Sequence, residues 1–370
     1  MDIIPSLGYA AVDDGSLSGS SRRRLIGAIE RGISMTAFHR MLTVFGIVLA
    51  VCVGLHNESA AQTQSLTAFY TAPVASMAPM WIAKEVGFFK KQGLDVKLVF
   101  IASGPTGTTS VLAGETDVGI IGGFAPIRAI VGGAKDLVII GQSKNRMTGN
   151  IVGKKDIASV QDLKGRRLGI DRIGSNPDMF AQAALSRFQI DTMRDLQYVQ
   201  LGNIGNGVPA LKGGTIDALI AGAPHDLFAQ RLGFKVILDI TALKIPFAVT
   251  VLASARNTVE RKQGELAKFM RAYAEAVHYF LTNPEGTAQI VAKYTKVEDR
   301  EVNAYAIESE SKAMERTLQV DPKGIELILA LIGKTVPQAA SAKAEDFYDA
   351  RFTTELRDSG FLKKLWGDKL

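Results

Sequence analysis

The sequence predicts an α/β chain folded as two similar lobes around a cleft, and three observations carry that reading. The stretch 112–123 (LAGETDVGIIGG) returns at 211–222 (LKGGTIDALIAG) with one inserted residue. Each copy reads as a helix end, a Gly turn, an Asp, a short apolar strand and then small residues, so one helix-turn-strand unit is used twice. Around both copies a strand, a loop rich in Ser, Gly and Ala, and a helix recur in that order. In open α/β sheets such strand-end loops face the crevice. Finally, 370 residues at 47% hydrophobic content suffice for two domains with buried cores, and no low-complexity stretch or long linker divides them.

Residues 66–70 alternate weakly and form the first strand. The loop 71–76 breaks it; Ser76 can cap a helix, and Pro79 is tolerated in a first turn. Met77, Trp81, Ala83 and Val86 carry that helix to Gly87, with Trp81 read as helix-to-sheet packing before a ligand platform. Residues 88–95 form a short turn into the strand 96–101. A helix beginning near Thr108 runs into the first copy of the repeat, a short helix follows Pro126, and 137–141 is an apolar strand. A new register starts at 151. The strand 167–170, the loop 171–177, a helix bearing Phe180, Ala184, Leu185 and Phe188, and the strand 196–201 follow. The loop 202–207 opens the helix of the second copy, and 236–240 is the last strand of this part. Residues 247–253 are rich in β-formers and cross back. Beyond them the chain is mostly helical to about residue 357. Leu266, Phe269, Met270, Tyr273, Val277 and Phe280 keep helical spacing up to Asn283 and Pro284. Lobe I therefore comprises 62–149 plus 248–370 and lobe II 150–247. The chain crosses between them twice, which permits hinge closure around a ligand.

Residues 1–61 read as a leader. His39 and Arg40 precede the apolar run 41–55, and Ser59 and Ala61 supply small residues at −3 and −1 before Gln62. This is the pattern of a signal peptide with cleavage after Ala61, and 35–61, starting at Met35, has the usual length. The run is shorter than the roughly twenty apolar residues of a membrane span. An uncleaved N-terminal anchor is the alternative, as is a lipoprotein through Cys52, against which the bulk of Val51 stands. The twin-arginine-like stretch 21–26 lies too far before the apolar run. The sequence thus places the mature protein in the periplasm.

Composition excludes several classes. Net charge is +6, from 43 Lys+Arg against 37 Asp+Glu, and is spread along the chain. The one tight basic run, Arg22, Arg23 and Arg24, falls in the leader, so no nucleic-acid groove is expected. Cys52 is the single cysteine; after cleavage only His225 and His278 remain of the histidines. No disulfide, metal site or cofactor is expected of such a chain. Catalytic signatures are also missing. There is no Gly-x-Ser-x-Gly, and Gly333-Lys334-Thr335 has Ile328 where a phosphate loop needs Gly. The glycines of 202–207 are wrongly spaced for a dinucleotide fingerprint, and Glu308 and Glu310 cannot share a helix face.

The candidate site residues lie instead in four strand-end loops, which hold Ser76, Ser103 with Gly104, Gly123 with Phe124, and Ser175 with Asn176. Free N–H groups at helix starts, with hydroxyls beside them, bind carboxylate, sulfonate or phosphate oxygens. At any one loop Ser and Gly equally serve as helix caps; four such loops on both lobes point to a shared pocket. Arg172 and His225 stand at strand ends in lobe II, where each can meet an anion or simply be exposed. Phe124 and Tyr70 can wall a pocket or pack in the core.

Five stretches resemble a known family: 78–89 (APMWIAKEVGFF), 93–96 (GLDV), 114–123 (GETDVGIIGG), 162–170 (DLKGRRLGI) and 279–285 (YFLTNPE). From about Ser65 to Thr353 the chain is similar to the substrate-binding proteins of nitrate/sulfonate/taurine-type ABC importers, related to thiamine-pyrimidine-binding proteins. The resemblance implies a type II periplasmic-binding-protein fold, α/β, with a central ligand cleft and two hinge crossings. It implies ligand capture in the cleft and delivery to an ABC permease in the inner membrane; the helix-start loops make a small anionic organic ligand the expected cargo, and the missing catalytic signatures speak against an enzyme. By analogy the contacts come from Thr71 to Ser76, Ser103, Gly104, Gly123 and Phe124 in lobe I, and from Arg172 to Asn176 and 223–225 in lobe II. One closing cleft needs no partner subunit, so a monomer is expected. The alternatives are a small-molecule enzyme on the same fold and a ligand-sensing subunit of a receptor.

Overall fold

The computed structural model describes residues 64–370; the predicted leader, with Cys52 and its cleavage site, lies outside the described residues. In chain order the first part comprises β1 (Gln64–Tyr70), α1 (Ala78–Glu85), α2 (Phe88–Lys91), β2 (Leu94–Phe100), α3 (Gly104–Leu112), β3 (Val118–Ile121), α4 (Phe124–Val131) and β4 (Leu137–Arg146). The chain then builds β5 (Asn150–Gly153), β6 (Arg167–Ile170), α5 (Asn176–Ser186), α6 (Thr192–Asp195), β7 (Gln197–Gln200), α7 (Gly207–Lys212), β8 (Ala218–Ala221), α8 (His225–Arg231) and β9 (Lys235–Asp239). It returns through β10 (Pro246–Ala255) to α9 (Arg256–Arg261), α10 (Gln263–Thr282), α11 (Pro284–Thr295), α12 (Arg300–Ser311), α13 (Pro322–Gly333), α14 (Arg351–Asp358) and α15 (Phe361–Trp366).

Two five-stranded sheets result, ordered β2-β1-β3-β10-β4 and β7-β6-β8-β5-β9. They have the same plan. In each, one strand (β1 or β6) pairs in parallel with two neighbours, and a returning strand (β10 or β5) is inserted antiparallel. The repeat read from the sequence underlies this. Gly114 and Gly214 both adopt positive φ, +74° and +73°, and close the preceding helices α3 and α7. Asp117 Oδ2 then accepts the N–H of Thr67 in β1 at 2.8 Å, and Asp217 Oδ2 accepts that of Arg167 in β6 at 3.1 Å. Each aspartate therefore pins the start of its own short strand to the strand beside it. Lys262 binds Asp117 at 2.8 Å, while Arg167 and Lys154 flank Asp217.

The two chain crossings between the sheets run side by side. The Met147 N–H donates to Ile245 O at 3.1 Å and that of Ile240 to Gly149 O at 3.0 Å. Below them lies a buried ion pair: Lys144 Nζ donates to Glu310 Oε2 at 2.5 Å and to Thr148 Oγ1 at 2.6 Å. It fastens the first crossing to α12.

Most of the helical expectations hold. Leu266, Phe269, Met270, Tyr273, Val277 and Phe280 of α10 are all buried, as their spacing predicts. Trp81 is a packing residue: it is buried, stacks on Tyr294 at 4.7 Å and meets Tyr70 edge-on. Four local readings are corrected. Ser76 caps nothing, because a one-turn helix at Ala75–Met77 leads directly into α1. The expected turn after Gly87 contains α2. α3 begins at Gly104, not near Thr108, because Ser103 caps it and Pro105 fits its first turn. β5 was not anticipated; its partners β8 and β9 make it a strand.

Candidate functional site

The loops at the C-terminal ends of the parallel strands of both sheets converge on one cavity of about 650 Å³. From the first sheet come 71–77, 102–105, Gly122, Phe124 and Ala125; from the second come 171–177, 202–205 and Pro224, His225 and Phe228. Nine of the ten candidate residues line it: Thr71, Ser76, Ser103, Gly104, Phe124, Arg172, Ser175, Asn176 and His225. Gly123 is the exception. Its N–H donates to Ala248 O at 3.0 Å, and a Cβ there would lie 2.3 Å from that oxygen. This glycine lets α4 start close against β10.

Sequence reading missed a third wall, formed by Val291 and Thr295 of α11, Val297, and Asn303 and Ala306 of α12. It also read 202–207 only as a helix cap, although the strand-end rule already places that loop on the cavity.

The cavity is mainly apolar, and its charged lining residues are Asp171 and Arg172. Arg172 is exposed, with Nε donating to Gly202 O at 3.3 Å. Burial pushes the His225 imidazole below its ordinary value, with Asp226 pulling weakly the other way, so the ring is neutral near pH 7. The 171–175 loop is closed on itself. Asp171 Oδ1 accepts the N–H of Arg172, Gln200 Oε1 that of Ile173, and Asp178 Oδ2 that of Gly174. Ser175 Oγ donates to Asp171 and accepts the N–H of Asp178. Ser103 Oγ likewise accepts the N–H of Thr106. Both serines are therefore helix caps; the Ser175 hydroxyl also spends its hydrogen on Asp171, whereas the Ser103 hydroxyl, among the described residues, only accepts and keeps its hydrogen to donate. Asn176 Nδ2 donates across the cavity to Val249 O of β10 at 3.2 Å, a contact between the two sides.

Ser175→Ala is accordingly expected to lower the unfolding free energy by about 1 kcal/mol, measured by urea melts. Lost ligand affinity at unchanged stability would instead place its hydroxyl on the ligand.

α8 joins the cavity to the C-terminal helices. His225 and Phe228 face the cavity, whereas buried Asp226 accepts from Asn150 Nδ2 at 2.7 Å and from the Tyr305 hydroxyl at 2.8 Å. At its far end Arg231 pairs with Asp299 and Glu301, both at 2.9 Å.

A family model described as NMT1/THI5 like matches residues 74–287, more than half of the chain. The chain belongs to the NMT1/THI5-like family. YtlA of Bacillus subtilis (strain 168), named as a candidate binding protein, is 25% identical over 224 residues, which are 58% of this chain and 66% of YtlA. The chain thus spans just under two thirds of that relative's length. Among solved structures, the periplasmic aliphatic sulphonate binding protein SsuA from Escherichia coli superposes with a TM-score of 0.64 at 21% identity. That likeness covers 77% of this chain and 99% of SsuA. The periplasmic nitrate-binding protein NrtA from Synechocystis PCC 6803 gives 0.65 at 15% identity, over 83% and 91%. The periplasmic-binding-protein fold expected from the family resemblance is the fold of this NMT1/THI5-like chain. No helix among the described residues is long and apolar enough to cross a membrane.

Proposed function

We propose that this protein is a periplasmic solute-binding protein. It captures a small organic ligand with an anionic group between its two sheets and delivers it to an ABC permease. The observation that carries this reading is one cavity walled by strand-end loops of both sheets and bridged by Asn176. Closure of two lobes about such a cavity is the movement that a ligand can stabilise. The binding-protein names of the relatives support it. The anionic group belongs on the first-sheet side, where loops 71–76 and 102–105 carry no carboxylate. On the other side the loop N–H groups are held by Asp171, Asp178 and Gln200. The lobes are 62–149 with 248–370 and 150–247, the exported chain acts as a monomer, and the ligand leaves chemically unchanged.

The test is a thermal-shift screen of the exported protein against alkyl sulfonates, taurine, nitrate, carboxylates, aromatic acids and aminopyrimidines. A ligand at a hundred times its Kd is expected to stabilise the fold by about 2.7 kcal/mol. Turnover of a stabilising compound would replace the binding role with an enzymatic one.

A further inference from the structure

A second cavity, of about 470 Å³, lies on the other side of Phe124 from the cleft. Phe124, Ile173 and Gly174 line both spaces. Gly174 has φ +80°, and a Cβ there would lie 3.4 Å from the Phe124 ring and 3.5 Å from Arg128 Nη1, so the partition is thin. The volume is within the range of small-molecule sites.

Its walls come from both halves of the molecule. α4 and the end of α13 belong to the side of the first sheet, whereas α5 packs on β8 of the second. Met179, Gln182 and Ser186 fall on one face of α5 at helical spacing, and all three line the cavity. The floor is apolar, with Met179, Ile190, Leu331 and Ile332 buried. At the rim Ile173 and Met193 leave 53% and 63% of their surface exposed, unusual for large apolar side chains.

The charges in this space are unequally engaged. Asp178 accepts from Gly174 N at 2.7 Å and Gln182 Nε2 at 2.9 Å, and Asp191 caps the α6 N–H groups. Arg194 is paired with Asp195. The Arg128 guanidinium and the Lys334 ammonium, by contrast, have no ion pair or side-chain hydrogen bond among the described residues, and both line the cavity. Two uncommitted cations over an apolar floor are complementary to a molecule with an apolar body and an acidic end.

We infer that this second cavity is a binding site for an organic anion with an apolar body, distinct from the cleft. An occupant touches α4 and α13 on one side and α5 on the other, so it bridges the two halves.

The test uses the exported protein and the dye 8-anilinonaphthalene-1-sulfonate, an apolar-bodied anion that fluoresces on leaving water. The native protein binds it saturably. Ser186→Trp, which fills the space from an exposed position, abolishes that binding. Joint replacement Arg128→Gln and Lys334→Gln weakens it about tenfold and keeps the proposal testable should the tryptophan variant misfold. Ala102→Trp, which obstructs only the cleft, leaves it within about twofold. No saturable binding, loss of binding in Ala102→Trp, or indifference to the charge and filling variants overturns the site. Each of these outcomes leaves the thermal-shift result for the cleft standing, so the two readings fail separately.

Discussion

Lys144→Ala is expected to lower the unfolding free energy by about 3–5 kcal/mol, among the largest effects of any single change in this molecule. Lys144 and Glu310 are 4% and 7% exposed, and their 2.5 Å contact is the carboxylate's one ion pair among the described residues. Removing the ammonium strands a charge away from water and also frees Thr148, which Lys144 binds in the first crossing. Neighbouring bonds tie β4 to the segment that follows α12: Glu315 N donates to Ser143 O at 2.8 Å, and Asn145 Nδ2 to Glu315 Oε2 at 2.7 Å. The loss is therefore expected in global stability, read as a shifted urea midpoint at unchanged slope. Replacing both partners, Lys144→Met with Glu310→Leu, removes the stranded charge and is expected to recover most of the loss. A single variant costing less than about 1 kcal/mol, or a double variant as unstable as the single, would refute this account.

Asp217→Asn is expected to cost about 2–4 kcal/mol at neutral pH. The Asp217 carboxylate receives the Arg167 guanidinium through two bonds of 2.9 Å, Lys154 at 2.6 Å and the Arg167 N–H at 3.1 Å. An amide keeps the shape but turns an N–H towards two cations. The Arg167 guanidinium, with Lys154 and the backbone N–H adding to it, holds this carboxyl far below the usual carboxylate range. The sign of the pH dependence follows. A carboxyl with a lower pKa folded than unfolded adds its full stability above the unfolded value of about 3.9 and loses it as pH falls below that. The gap between native and variant is thus expected to be widest at pH 5–7 and to narrow in acid. Urea melts at a series of pH values check this; a gap of constant size would mean that the charge is not what Asp217 contributes.

What could be read in the sequence follows from how local each feature is. The two copies of the Gly-x-x-Asp unit are visible because a positive-φ glycine and an aspartate three residues later are set by local geometry. The buried face of α10 is visible because helical spacing repeats over about four turns from Leu266 to Phe280. β5 is not visible, since four residues running into Lys154, Lys155 and Asp156 read as a loop until β8 and β9 are placed beside them. Within the cleft, position at a strand end identified nine lining residues. The state of their donors was hidden, because the N–H of Ile173 finds its acceptor in Gln200, on the neighbouring strand. The wall from α11 and α12 was hidden for the same reason: Val291 and Asn303 reach the cleft only through the packing of the C-terminal helices.

The double attachment of α8 limits how this cleft can change its chemistry. His225 and Phe228 face the ligand space, yet Asp226 and Arg231, on the same two turns, anchor the helix to Tyr305, Asp299 and Glu301. Under the binding role proposed above, a substitution at 225 or 228 that shifts this helix alters the fit of the occupant and the ease of opening together. Selectivity and release rate are therefore not independent properties at these positions. In the 71–76 loop, Ala75 and Ser76 are buried where their turn packs on α12, whereas Thr71, Ala72 and Pro73 carry no side-chain hydrogen bond or ion pair among the described residues; at 71–73 a new preference can arise without retuning the speed at which the cargo is let go.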